Sequence, residues 1–253
     1  MIKSRFFGVW CAGILLAPIA HGAVQANQPD ITVRVGTIIH NPPYVMENPS
    51  SGIDVDTIRE AFLAAGVRVE FVHAHLARLG LLLDHQRIDA MTAYRTRPDQ
   101  CTQSNAFGTW HNGIIVRRGL EKPITSFADL AGLQVGMFLQ AKDLFGKALT
   151  AHEDSFEGET IVHTTPSALR MLAYGRVDAY IGDSWGLDYL VKDQLHRGEE
   201  RPYKVAVAFE PTPRQLCFHS DELREAFNTG LKAIRAEGIP AQIISKYLAV
   251  MPN

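Results

Sequence analysis

Asp89-Ala-Met-Thr-Ala-Tyr-Arg-Thr-Arg-Pro-Asp99 runs from an apolar segment into a polar one rich in arginine. Its first part, Ile88 to Tyr94, predicts a short strand, and the rest is a polar loop holding Arg95, Thr96 and Arg97. A hydroxyl (Thr92) and a guanidinium just past the carboxyl end of a strand are groups that capture a carboxylate. Arginine offers a planar fork of donors that a carboxylate meets with both oxygens. In open α/β sheets, ligands sit outside the carboxyl ends of the strands. The competing reading is a solvated turn, since Arg before Pro is common on any surface, so the neighbouring sequence has to decide.

Working backwards, Leu76 to Asp84 predicts a leucine-rich helix, and Val67, Val69 and Phe71 alternate as a strand. Val55, Ile58, Phe62 and Ala65 share one helical face, and Gly66 is a natural stop. Ile31 to Gly36 alternates as a first strand; the loop from Thr37 to Tyr44 is expected to be extended at Pro42-Pro43. A strand-helix-strand-helix-strand run predicts a parallel sheet wrapped by helices.

Working forwards, Arg176-Val-Asp-Ala-Tyr180 echoes Arg87-Ile-Asp-Ala-Met91, each after a helix, and two such junctions suggest two α/β lobes. Asp89 and Asp178 read as structural residues that start buried strands. Between them, Ser126 is expected to cap a short helical turn, and Ala141 to Leu149 is expected to be one helix with free N–H groups at its start. Ile161 to His163 reads as a strand, Val177 to Trp185 as another, and Lys192 to Arg201 as a polar loop. Gln215 to His219 is a strand, Ser220 caps the helix carrying Leu223, Phe227, Leu231 and Ile234, and Pro240 to Leu248 closes the chain.

Composition narrows the function. The 253 residues are 46% hydrophobic and 21% charged, ordinary for one or two globular domains. Lys3 and Arg5 precede an apolar run from Phe6 to Ala20, and Val24-Gln25-Ala26 suits signal peptidase, so residues 1–26 read as a cleaved signal peptide. Removing them takes two bases and no acid, leaving 23 basic against 27 acidic residues, a balance that argues against nucleic acid. Cys101 and Cys217 remain; export permits a disulfide, and no spacing rule demands one. His40, His73 and His75 lack an evident further ligand, so no metal is expected, and no phosphate loop, Gly-x-Ser-x-Gly or His-Glu-x-x-His calls for a cofactor or a standard catalytic centre.

The pattern resembles the family 3 extracellular solute-binding proteins, the amino-acid-binding class of ABC-transporter receptors. The matching pieces run in order from Ile31 to Leu248. They are Arg34-Val-Gly36 with Pro42-Pro43-Tyr44, Gly52-Ile-Asp-Val-Asp56, Val67 to Phe71, and Arg87-Ile-Asp-Ala90. Then come Ser126 to Gly132 with Val135-Gly136, Gly175 to Ala179 with Asp183, and the tail carrying Gly238 and Tyr247. The resemblance implies an α/β fold of the type II periplasmic-binding-protein kind. It has two lobes, each a mostly parallel sheet flanked by helices, joined by two crossover strands. Lobe one would be residues 27–114 plus 210–253, and lobe two 115–209.

Carried over residue by residue, the resemblance implies that Arg97, five residues after Thr92 and seven before Ser104, grips a ligand carboxylate. The loop is shorter than usual, which leaves Arg95 as the alternative. Asp183, five after Asp178, would take the ammonium. Three departures stand out: Asn41 and Leu76 replace family aromatics, and Gln140-Ala141-Lys142 replaces the Gly-Ser/Thr that opens the lobe-two helix. Backbone donors at Ala141 survive, Lys142 would sit at the rim, and Tyr44, Tyr94, Trp110 and Trp185 are candidate walls. Such a pocket suits an amino acid or a related organic acid. The implied protein is a periplasmic monomer that is not an enzyme, delivering its ligand to an inner-membrane ABC permease. The alternatives on the same scaffold are a sensor subunit for a signalling receptor and a dehydratase, whose general acid would be Glu47, Asp54 or His111.

Overall fold

The computed structural model describes residues 31–48, 50–93 and 101–248. Two sheets organise them, each built on the same plan. In the first, β1 (Ile31–Thr37) lies between β2 (Val67–His73) and β3 (Ala90–Ala93), all parallel. Antiparallel β11 (Thr212–Phe218) then pairs with β3, β4 (Thr102–Gln103) and β5 (Gly108–Trp110). In the second, β7 (Gln134–Met137) lies between β8 (Gly158–Ile161) and β9 (Ala179–Asp183), again parallel. Antiparallel β6 (Asn112–Arg117) and β10 (Tyr203–Ala208) complete it. The chain passes from the first sheet to the second through His111 and returns through residues 209–211.

The echo around Asp89 and Asp178 has a physical basis. The Asp89 N–H donates to the Arg34 carbonyl at 2.8 Å, and its carboxylate accepts from the Arg34 N–H at 2.7 Å. Asp178 does the same with Gln134, at 2.8 and 3.0 Å. Each aspartate therefore holds the start of a central strand to its neighbour, the structural role expected of it.

Helices cover the sheets where the apolar periodicity requires. Helix α1 (Ile53–Ala64) sets Ile58 and Phe62 against Val33, Val35 and Phe218, and α7 (Asp221–Ala236) adds Phe227 and Leu231. Ser220 caps α7, its hydroxyl accepting from the Leu223 N–H at 3.2 Å. Helix α2 (Leu76–Asp84) has the bounds read from the sequence. In the second sheet Ala179 and Ile181 face one cluster and Tyr180 the other, so both faces are covered, as a parallel sheet needs. Helices α1 and α7 approach so closely at Gly230 that a Cβ there would overlap the Ala61 carbonyl oxygen. Gly230→Ala is expected to cost about 2 kcal/mol by overpacking, measured by urea unfolding; an unchanged midpoint would refute the close approach.

Several expectations needed correction. Residues 141–149 form two short helices, α3 (Ala141–Phe145) and α4 (Lys147–Thr150), because Gly146 breaks them at φ 52°. The strand expected to end at Trp185 stops at Asp183, which caps α6 (Ser184–His196), so the first half of the predicted polar loop is helix. The strand placed at 161–163 lies at 158–161. Pro42 and Pro43 sit in a tight turn closed by the Asn41–Val45 bridge, not in extended chain. Thr164 caps α5 (Thr165–Ala173), and α8 (Ile239–Leu248) packs Ile243 and Leu248 beside Tyr44 and Ile53. No helix among the described residues is long and apolar enough to cross a membrane.

Candidate functional site

The turn at 41–45 is pinned under the start of α1: the Asp54 N–H donates to the Tyr44 carbonyl at 3.0 Å, and the Ile53 N–H to Pro43 at 2.9 Å. Gly52 makes this junction, since its φ of 131° and its contact with the Tyr44 carbonyl leave no room for a side chain. Tyr44 and Asp54 are both buried at this junction. From β11, Arg214 reaches the same spot. Alternation puts it on the face of Leu216 and Phe218, an apolar face where a lone charge is unusual.

Arg214 lies with Cζ 4.0 Å from the Tyr44 ring centre and 4.7 Å from that of Trp110, while Tyr44 and Trp110 meet edge to face at 4.5 Å. Its Nη1 is 2.6 Å from Asp54 Oδ1, and both side chains are buried. This ion pair is close but not aligned as a hydrogen bond. Burial pushes the Asp54 carboxyl up to about 6; Arg214 opposes that rise and Asp183 adds to it. Neither Arg214 nor its pairing with Asp54 was read from the sequence. The available signal was an arginine in phase with Leu216 and Phe218.

Asp183 joins the two sheets. Its carboxylate accepts from the Gly186 N–H at 2.7 Å, from the His111 N–H at 2.9 Å, and from the Tyr44 hydroxyl, 2.9 Å from both oxygens. Burial raises its pKa while those donors and Arg214 pull it down. The His111 ring stacks on Trp185 at 3.6 Å, and burial, then Arg214, lowers its pKa. Thus Tyr44, Asp183 and Trp185 come together as a group, with Asp183 already engaged by three donors of the chain itself.

The remaining sequence candidates divide. Thr92 is buried at the end of β3, and its hydroxyl has no hydrogen-bond partner among the described residues; the same holds for Thr37 at the end of β1. Ala141 is buried in the second sheet's core with its N–H donating to Phe138, so it offers no free donor. Lys142 is held by Glu153 and Glu159, at 2.8 Å each, instead of standing at a pocket rim. Tyr94, Arg95 and Arg97, like residues 1–26, lie outside the described residues. Among the described residues, no three His, Cys, Asp or Glu side chains converge as a metal site would need.

Solved structures share this fold. An ancestral arginine-binding protein bound to arginine is 26% identical, with a TM-score of 0.69 over 85% of this chain and 97% of that one. A histidine kinase sensor domain with similarity to periplasmic binding proteins is 22% identical, at 0.70 over 88% and 98%. An ancestral amino-acid-binding protein described as a precursor of cyclohexadienyl dehydratase is 22% identical, at 0.66 over 86% and 95%. Among curated protein sequences, none matches this chain. The model of bacterial extracellular solute-binding proteins, family 3, matches residues 33–250, and this chain belongs to that family.

Proposed function

We propose that the protein captures a small carboxylate-bearing solute, an amino acid or a related organic acid, in the cleft between its two lobes. The observation that carries this reading is the set of buried polar atoms without a hydrogen bond at one end of the first sheet: the Thr37 and Thr92 hydroxyls and Nε of Arg214, whose Nη1 faces Asp54. Buried polar groups are normally satisfied, so a cluster without partners points to a ligand that supplies them. In this reading the lobes are residues 27–114 with 210–253, and 115–209. Arg97, or Arg95 in its place, grips the carboxylate beside Thr92. The exported monomer works in the periplasm and hands its solute to an inner-membrane ABC permease.

A second reading has one observation behind it. Burial pushes the Asp54 carboxyl up to about 6, the direction a general acid needs, and this favours testing for a dehydratase-like activity on the same scaffold.

The test is a thermal-shift screen against α-amino acids, dicarboxylates and small organic acids, since a ligand of the folded state raises the midpoint by mass action. A rise with a carboxylate solute, with unchanged solute recovered afterwards, is expected; turnover would favour the second reading. Arg97→Ala is expected to weaken binding by roughly 2–5 kcal/mol, as for loss of a buried charge partner. Wild-type affinity in both Arg97→Ala and Arg95→Ala would remove the loop arginines from the site.

A further inference from the structure

We propose that Thr37, Thr92 and Arg214 form a carboxylate subsite that makes the cleft select an anionic solute over a cationic one. The inference rests on the solute-capture reading above and deepens it. Strands β1, β3 and β11 are neighbours in that order, so the three residues lie in a row. Gly36 pairs with Met91, which sets Thr37 beside Thr92; Thr92 pairs with Leu216, two residues from Arg214. By alternation all three share the face of Val35, Ala90 and Leu216. Asp54 closes the row from α1 through its contact with Arg214.

Each of these residues is more than nine-tenths buried: Thr37 is 1% exposed, Arg214 4%, Asp54 5% and Thr92 6%. The atoms without a hydrogen bond are two hydroxyls, which can donate or accept, and Nε of Arg214, which can only donate; Nη1 and Asp54 Oδ1 face each other as an ion pair. The other nearby carboxylate, Asp183, is already engaged by three donors of the chain itself. Nε can be met only by an acceptor, and both hydroxyls can donate to the same group, which calls for an anion. A cationic solute would want the opposite, a carboxylate under aromatic faces, and here that box is already filled. The chain's own guanidinium lies over Tyr44 and Trp110 against Asp54, and Gly108 makes room for it, since a Cβ there would stand 2.6 Å from Nη2.

The protonation of Asp54 fits this arrangement. The charged groups facing it are Arg214 and Asp183, with Tyr44 and His111 beside them. Burial keeps the Tyr44 phenol neutral and lowers the His111 pKa. Below about pH 6 Asp54 is protonated and no longer competes with a bound carboxylate for Arg214; above it, the two negative groups oppose each other. Carboxylate binding is therefore expected to tighten as pH falls from 8 to 5.5, and Asp54→Asn is expected to remove most of that trend.

The test is calorimetry and thermal shift of the purified protein with succinate, L-glutamate and L-arginine. Succinate or L-glutamate is expected to bind and L-arginine is not. Thr37→Val is the clean variant, because it replaces an unpartnered hydroxyl with a methyl and leaves the free protein at least as stable. It is expected to weaken binding on the order of tenfold, and Arg214→Lys, which keeps the charge but loses the fork, by more. Wild-type affinity for the acids in both variants would overturn the subsite while leaving solute capture intact. So would binding of L-arginine alone. Silence towards these three and towards the wider acid and amino-acid panel would overturn both.

Discussion

Asp183→Ala is expected to lower the free energy of unfolding by about 3–5 kcal/mol, before any solute is added. The carboxylate serves three donors at once: the Gly186 N–H at the start of α6, the His111 N–H on the passage between the sheets, and the buried hydroxyl of Tyr44. Alanine removes the helix cap and orphans the other two donors together, and each buried donor left unpaired costs about 1–3 kcal/mol. Tyr44 feels the loss most, because the same side chain packs on Arg214 and Trp110. Asp183→Asn, which retains one acceptor oxygen, is expected to recover part of the loss. Urea unfolding without solute checks this. A cost below about 1 kcal/mol, joined to loss of solute binding, would return Asp183 to the role of ammonium partner that family spacing suggests.

Reducing the Cys101–Cys217 disulfide is the second large effect. The bond joins residues 116 apart, with their Cα atoms separated by 5.5 Å. The loop it closes contains every strand of the second sheet, from β6 to β10. Chain-entropy reasoning assigns a loop of this length about 5 kcal/mol, mostly through restriction of the unfolded chain. Cys217 is buried against Met91 and Ile88, so the comparison should use Cys101→Ser with Cys217→Ala to avoid burying a new polar group. Unfolding with and without reductant is expected to separate by several kcal/mol, most of it absent in the double variant. A separation under about 1 kcal/mol would mean that the unfolded chain is already compact around this bond.

What was legible in the sequence was local. Helix α2 appears with its own bounds because Leu79 and Leu83 recur at helical spacing between polar ends. Strand β2 shows by alternation, α7 by its serine cap and apolar stripe, and the aspartates at 89 and 178 by their matching junctions. Helix α6 was missed because its buried face includes Asp188, which pairs with Tyr203 and Arg201 and so breaks the apolar period. Strand β6, Asn-Gly-Ile-Ile-Val-Arg, is apolar on both sides because both its faces are covered, and a continuous apolar run does not declare its own period.

Sequence alone was enough for the strand-helix alternation around β1 to β3, for several later strands and helices, for the two-lobed plan and for the family. Those follow from periodicity, caps and turns, interactions that span a few residues. Only the tertiary structure decided the site. It set Arg214 of the last long strand against Asp54 of the first helix, lined up Thr37 and Thr92 beside them, and engaged Asp183 with three of the chain's own donors. A side chain's charge state and free hydrogen-bonding capacity depend on which distant groups share its burial, and that is settled when the sheets and helices pack.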